Sequence, residues 1–181
     1  MPGRTPLAQP VERLAVARVL VDSGRDVEAV AHGGSMGRAI PAGATIRIRG
    51  VDPESLRVGD VIAFAQRETL VTHRVVARGR GRQARSYLVT RGDAARTCDE
   101  PVAMETVLGI VRSYQSGGHW YDVPGPVRHA GWSRLLTSLV ESAVRAALEL
   151  DARLAGALVR LTRRAGSARA RVVRLIRGRV P

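Results

Sequence analysis

The sequence contains no lysine: all 29 basic side chains are arginine. That absence excludes any mechanism with lysine as general base, Schiff-base former or P-loop phosphate ligand. Cysteine occurs once, which excludes an intrachain disulfide and a multi-cysteine zinc site. Aromatic residues make up only 3% of the chain, so any core is built from Val, Leu, Ala and Ile. Long apolar runs are missing as well. The longest stretches free of Asp, Glu and Arg are nine residues, Ala29 to Gly37 and Ser113 to Tyr121, whereas a membrane-spanning helix needs about 18–20 apolar residues. The opening residues, MPGRTPLAQPVERL, lack the apolar stretch of a secretory signal. The expectation is a cytoplasmic chain without a spanning segment.

What is present is unevenly charged. The net charge is +13 over 181 residues. Residues 1–115 carry 17 Arg against 12 acids, whereas residues 116–181 carry 12 Arg against 4 acids, and no acid follows Asp151. The excess belongs largely to a tail, and the two halves read differently.

The periodicity predicts a short helix over 10–22, with apolar positions at Leu14, Val16, Val19, Leu20 and Val21 and a stop near Gly24. From Asp26 the texture turns β-like. Strands are expected near Val27–His32, Thr45–Arg49, Val61–Ala65, Thr69–Ala77, Ser86–Thr90 and Val107–Tyr114, separated by Gly, Pro and Asp turn signals such as Gly33-Gly34, Pro41-Ala42-Gly43, Gly59-Asp60, Gly79-Arg80-Gly81 and Gly92-Asp93. The expected fold is mainly β, a coiled antiparallel sheet or partial barrel. The expected division is an N-terminal helical segment (1–25), a β domain (26–114), a Gly/Pro-containing linker (115–132) and a basic amphipathic helical tail (133–181). In the tail Ser133 is placed to cap a helix that Gly166 breaks, and Ala168–Arg179 forms a second basic piece.

Three segments carry candidate chemistry. Gly33-Gly34-Ser35-Met36-Gly37 can expose a serine hydroxyl on a tight turn where another backbone can come close. In Val71-Thr72-His73-Arg74-Val75, strand alternation puts His73 on the face of Val71 and Val75 and Arg74 on the other. A neutral histidine there can act as general base for a serine. The loop from Gly92 to Glu100 holds Asp93 and Asp99, either of which can orient an imidazole. Each segment alone also has a structural reading: a turn, a satisfied core histidine, an Asx-capped loop.

Taken in order, the segments resemble the superfamily of type I signal peptidases and LexA-type self-cleaving repressors, over about Val27 to Val111. The matching features are the Gly-x-Ser-Met turn at Ser35, the Pro41-Ala42-Gly43 turn, the Gly59-Asp60 strand start, the His73 strand, the Gly92-Asp93 loop and the Gly109 strand. The superfamily divides by general base, lysine in one branch and histidine in a His-Arg-Val context in the archaeal and endoplasmic-reticulum branch. With lysine absent, His73-Arg74-Val75 fits the histidine branch. The resemblance implies Ser35 as nucleophile, His73 as base, Asp99 as third catalytic member and Asp93 as supporting aspartate. No cofactor and no metal are expected. Two positions depart from the pattern, Arg38 where proline is common and Ala44 where aspartate is common. A side-chain oxyanion donor found two residues before the nucleophile in some relatives is replaced here by Gly33.

The expected function is therefore a serine endopeptidase acting on a peptide or precursor protein. An idle relative that binds peptide or a membrane surface, and a repressor-like DNA-binding regulator, are the alternatives. The basic tail fits either peripheral contact with an anionic membrane or packing on the β domain. Nucleic acid is disfavoured by the lack of a helix-turn-helix and of aromatics among the arginines at Arg78, Arg80, Arg82 and Arg85. Cys98 lacks a glycine-rich turn. His119 and His129 lack metal-ligand spacing, and Trp120 and Trp132 are assigned to pinning the linker.

Overall fold

A computed structural model describes residues 10–80, 86–125, 142–143, 146–147 and 155–162. The chain is mainly β. Helix α1 (Pro10–Asp22) precedes eight strands: β1 (Val27–Val30), β2 (Thr45–Arg49), β3 (Val61–Gln66), β4 (Thr69–Arg80), β5 (Ser86–Arg91), β6 (Val102–Ala103), β7 (Val107–Ser116) and β8 (His119–Asp122). Residues 155–162 are helical. Every pairing is antiparallel, and the strands lie in the order β1-β2-β7-β3-β4-β5-β6, with β8 against β7.

Sequence pattern accounts for the central strands β2, β3 and β7 of that order. β2, Thr45-Ile46-Arg47-Ile48-Arg49, buries its isoleucines and turns its other residues outward, the period-two signature of a strand with one covered face. β3 opens as a continuous apolar run buried on both faces, as expected of a strand with packed neighbours on each side. Its alternate residues divide between two cores. Val61 and Ala63 join Met36, Ile40, Ile46 and Leu108, whereas Ile62 and Phe64 join Val75, Leu88, Val107 and Ile110. β7 runs between β2 and β3. At Gly109 a side chain would overlap the Arg49 carbonyl, so only glycine allows the close approach of β2 beside its bulge at Arg47/Ile48.

Helix α1 ends where expected. Gly24 takes φ +78°, its amide donating to the Val21 carbonyl and that of Arg25 to the Leu20 carbonyl, a left-handed C-terminal cap. The apolar face differs from the expectation. Leu14, Ala17 and Val21 pack on the first core, while Val16 and Val19 are exposed. Arg18, on the inward side, donates to the carbonyls of Val107 (2.6 Å) and Glu105 (3.1 Å).

The linker expected over 115–132 is corrected in its first part. Gly117 and Gly118, at φ +57° and +83°, form the two-residue turn joining β7 to β8. Arg47 stacks on the Trp120 ring at 3.9 Å, and Tyr114 stacks on Tyr121 at 5.5 Å. The β domain therefore extends beyond residue 114 to at least Asp122. The remainder of that linker (126–132), Arg82 and Arg85, His129, Trp132, Ser133 and the piece Ala168–Arg179 lie outside the described residues. Of the tail, Ala155 and Val159 are fully buried in a third small core with Ala77, Val89 and Cys98. No described helix is long and apolar enough to cross a membrane.

Candidate active site

Ser35 lies in the connection between β1 and β2. Gly33 and Gly34 are exposed, Ser35 is half-buried and Met36 is buried at 3% exposure. Met36 thus anchors the turn in the first core, fixing the backbone from which the Ser35 hydroxyl projects. Gly37, at φ +56°, donates to the Gly34 carbonyl (3.0 Å) and closes the turn. The Ser35 amide makes no hydrogen bond among the described residues and is available as a donor. Arg38 is exposed, and Ala44 is buried, its carbonyl accepting from Ala31 (2.9 Å).

His73 lies in β4 opposite Ile62 of β3, with the Phe64 ring edge-on to its imidazole at 6.4 Å. Its Nε2 is 2.8 Å from Ser35 Oγ, and its Nδ1 is 2.5 Å from Asp99 Oδ2. A carboxylate only accepts, so this geometry assigns the proton to Nδ1 and leaves Nε2 to accept from the serine hydroxyl. The His73 and Asp99 side chains are only 12% and 8% exposed. In such shielded surroundings a charge-assisted hydrogen bond is stronger than in water.

Asp99 is itself held in two ways. Its Oδ2 accepts from Thr90 Oγ1 (2.7 Å), and its amide donates to the Thr90 carbonyl (2.7 Å). Thr90, buried at 0% exposure, is the residue that fixes the carboxylate. In the sequence it stands only as the last residue of the expected strand Ser86–Thr90.

Asp93 does not join this line of hydrogen bonds. Among the four residues expected to act together, it is placed instead with Arg74 on the other face of β4. Arg74 Nε and Nη2 donate to Asp93 Oδ1 and Oδ2 at 2.9 and 2.7 Å, Nη1 donates to the Gly59 carbonyl (2.7 Å), and Nη2 also donates to the Pro124 carbonyl (2.9 Å). The reason is strand alternation: adjacent residues His73 and Arg74 point to opposite faces, and each takes one acid of the same loop. The Arg74 and Asp93 side chains are 5% and 10% exposed. A buried pair of this kind adds little over an apolar pair, but removal of one partner strands the other charge.

Gly92 makes the convergence possible. A β-carbon there would lie 2.6 Å from the Ser35 carbonyl oxygen, 2.8 Å from Ser35 Cβ and 3.0 Å from His73 Nε2. The Ala94 amide donates to that same Ser35 carbonyl (2.8 Å), so the loop from β5 is laced directly to the serine turn. Sequence reasoning saw Gly92 as a turn signal and missed this approach, together with the burial of Arg74. Among the described residues no group of three or more His, Cys, Asp or Glu side chains is arranged to hold a metal ion.

No protein-family model matches the sequence, and searches of the curated proteins and of the solved structures find no match.

Proposed function

We propose that this chain is a serine endopeptidase of the signal-peptidase type, in the branch that uses histidine as general base, acting on a peptide or precursor protein. The observation that carries the reading is the unbroken series from Ser35 Oγ through His73 to Asp99, at 2.8 and 2.5 Å. A turn serine, a core histidine and a loop acid have no need of that linear arrangement for folding alone, whereas acyl transfer requires it.

In the proposed mechanism Ser35 Oγ attacks a peptide carbonyl while its proton passes to His73 Nε2. Asp99 holds the imidazole through Nδ1–H and stabilises the imidazolium that forms. The carbonyl oxygen gains negative charge and takes a hydrogen bond from the Ser35 amide. Collapse of the tetrahedral species breaks the C–N bond, and His73 returns the proton to the leaving amine. His73 then takes a proton from water as its oxygen attacks the acyl ester; collapse breaks the C–Oγ bond, releases the carboxylic product and returns the proton from His73 to Ser35 Oγ. Asp93 takes no part in proton transfer in this scheme; with Arg74 it fixes the loop that bears Asp99.

The test is cleavage of a precursor peptide carrying small residues before the scissile bond. Wild-type chain is expected to cut it, and Ser35→Ala and His73→Gln to lose turnover by at least about a thousandfold. Unchanged turnover in Ser35→Ala would remove Ser35 as nucleophile. Peptide binding without cleavage by the wild-type chain would favour the idle, binding-only relative.

A further inference from the structure

Helix 155–162 covers the back of the loop that carries Asp99. Asp99 is flanked by Cys98 on one side and by Glu100 and Pro101 on the other, and the helix reaches both flanks. Cys98, 1% exposed, shares its small core with Val89, Ala77, Ala155 and Val159. Val89 immediately precedes Thr90, the residue that clasps Asp99. Beyond Asp99, Arg160 pairs with Glu100 at 3.5 Å, and a β-carbon on Gly156 would lie 3.7 Å from Pro101 Cδ, ordinary contact distance.

We infer that helix 155–162 is a positioning element for the catalytic acid: by seating Cys98 and Val89 from behind and the Glu100–Pro101 segment from beyond, it holds the Asp99 carboxylate against His73. This inference rests on the proposed peptidase reading for its effect on catalysis, though not for its effect on the His73–Asp99 contact. The physical reason is that the helix packs against both flanks of Asp99, Cys98 before it and Glu100 after it. Other ties of the loop include Asp93 to Arg74, Ala94 to Ser35, and Asp99 to Thr90 and His73. The first two fix its beginning. The end bearing Asp99 is held from the front by Thr90 and His73, and the helix packs behind it. The C-terminal region is thus part of the active-site framework, and its undocking lowers the activity of the serine without touching it.

The experiment uses the full chain with Val159→Asp, which puts a charge into the small core, Gly156→Leu, which crowds Arg160 (its Nη1 3.3 Å from a β-carbon there) and the adjoining Pro101, and the conservative Val159→Ile. Three readouts are taken on chains whose sheet is intact by circular dichroism. Reaction of Cys98, the sole cysteine, with an aromatic disulfide reagent reports undocking. Phosphonylation of Ser35 by a fluorophosphonate reports reactivity. The imidazole N–H proton signal of His73 reports the contact with Asp99. In Val159→Asp and Gly156→Leu, Cys98 is expected to react at least about tenfold faster, as in a local opening. Ser35 phosphonylation is expected to fall at least about tenfold, with loss of the His73 signal, while Val159→Ile stays at the wild-type rate. Faster Cys98 reaction with unchanged phosphonylation and signal would overturn the inference, as would a Cys98 still shielded in both disruptive variants. Loss of the sheet in both would also overturn it, since the helix would then be holding the whole fold. A wild-type chain that shows no phosphonylation, but whose His73 signal is lost only in the disruptive variants, would sink the peptidase reading and leave the positioning role standing.

Discussion

Replacement of Gly92 by alanine tests the link between fold and site with a single methyl group. The added carbon would meet the Ser35 carbonyl oxygen at 2.6 Å, Ser35 Cβ at 2.8 Å and His73 Nε2 at 3.0 Å. Ordinary contacts between non-bonded heavy atoms lie at about 3.5–4.0 Å, so the loop and the serine turn must separate by roughly 1 Å. Two of the three opposing atoms belong to the Ser35 residue close to its backbone, and Met36 is anchored in the core, which leaves little room to yield. Overpacking of this kind costs about 1–3 kcal/mol. Alanine recovers about 0.4–1 kcal/mol by restricting the unfolded chain, leaving a net loss of about 1–2 kcal/mol. For a chain of this size that corresponds to a fall in Tm of about 2–8 °C. A 1 Å displacement between nucleophile and base lowers reactivity by about a hundredfold. Thermal unfolding and the rate of Ser35 phosphonylation measure the two effects. Gly34→Ala, whose β-carbon meets nothing within 4 Å, serves as the stability control and is expected to stay within about 0.5 kcal/mol. A Gly92→Ala chain with wild-type Tm and wild-type phosphonylation would refute the close approach and the argument built on it.

Further outcomes follow from individual contacts. Arg74→Met leaves the Asp93 carboxylate buried without its bidentate partner and is expected to cost about 3–5 kcal/mol in urea unfolding; Arg74→Met with Asp93→Leu should recover most of it. Thr90→Val removes the hydroxyl that donates to Asp99 and is expected to slow Ser35 phosphonylation by about 10–100-fold, the equivalent of one hydrogen bond to a charged group. Arg67 and Glu68 form the β3–β4 turn at φ +46° and +62°, a conformation that favours glycine, so Glu68→Gly is expected to stabilise the chain by about 1 kcal/mol in the same urea assay. The Arg49 guanidinium, hydrogen-bonded to Asp26 across β1–β2, holds the Asp26 carboxyl below its usual value. Its small contribution is therefore present above about pH 4 and lost as the pH falls through the folded-state value. Unfolding of Asp26→Asn at a series of pH values should lack that component.

The sheet was largely legible because its strands obey simple periodicities. β2 alternates, β3 is a continuous apolar run, and glycine-bearing turns punctuate the rest. β8 was not, since its four residues are all exposed and carry no burial pattern; the signal that does point to it is the Gly117-Gly118 pair, a two-residue hairpin turn. β6, two residues long, has too few positions for any period. On α1 the run of valines masked which stripe faces inward, because Leu14, Ala17 and Val21 share the spacing of one helical face and Val16 and Val19 only the hydrophobicity. At the site, the serine, histidine and acid could be picked out by residue type. The division of the two aspartates could not be derived from spacing alone; it depends on His73 and Arg74 facing opposite ways and on a loop long enough to reach both. Gly92 and Thr90 act through distances between segments remote in sequence, which no local pattern records.

The central claim is that Ser35 is a nucleophile activated by His73. The most direct measurement is intact-mass and peptide analysis of the full chain after exposure to a fluorophosphonate, in wild type and in His73→Gln. The account predicts one phosphonyl adduct, located on Ser35, in the wild-type chain, and a rate at least about a thousandfold lower in His73→Gln. A wild-type chain that remains unmodified, or an adduct on Ser35 that forms equally fast without His73, would contradict it.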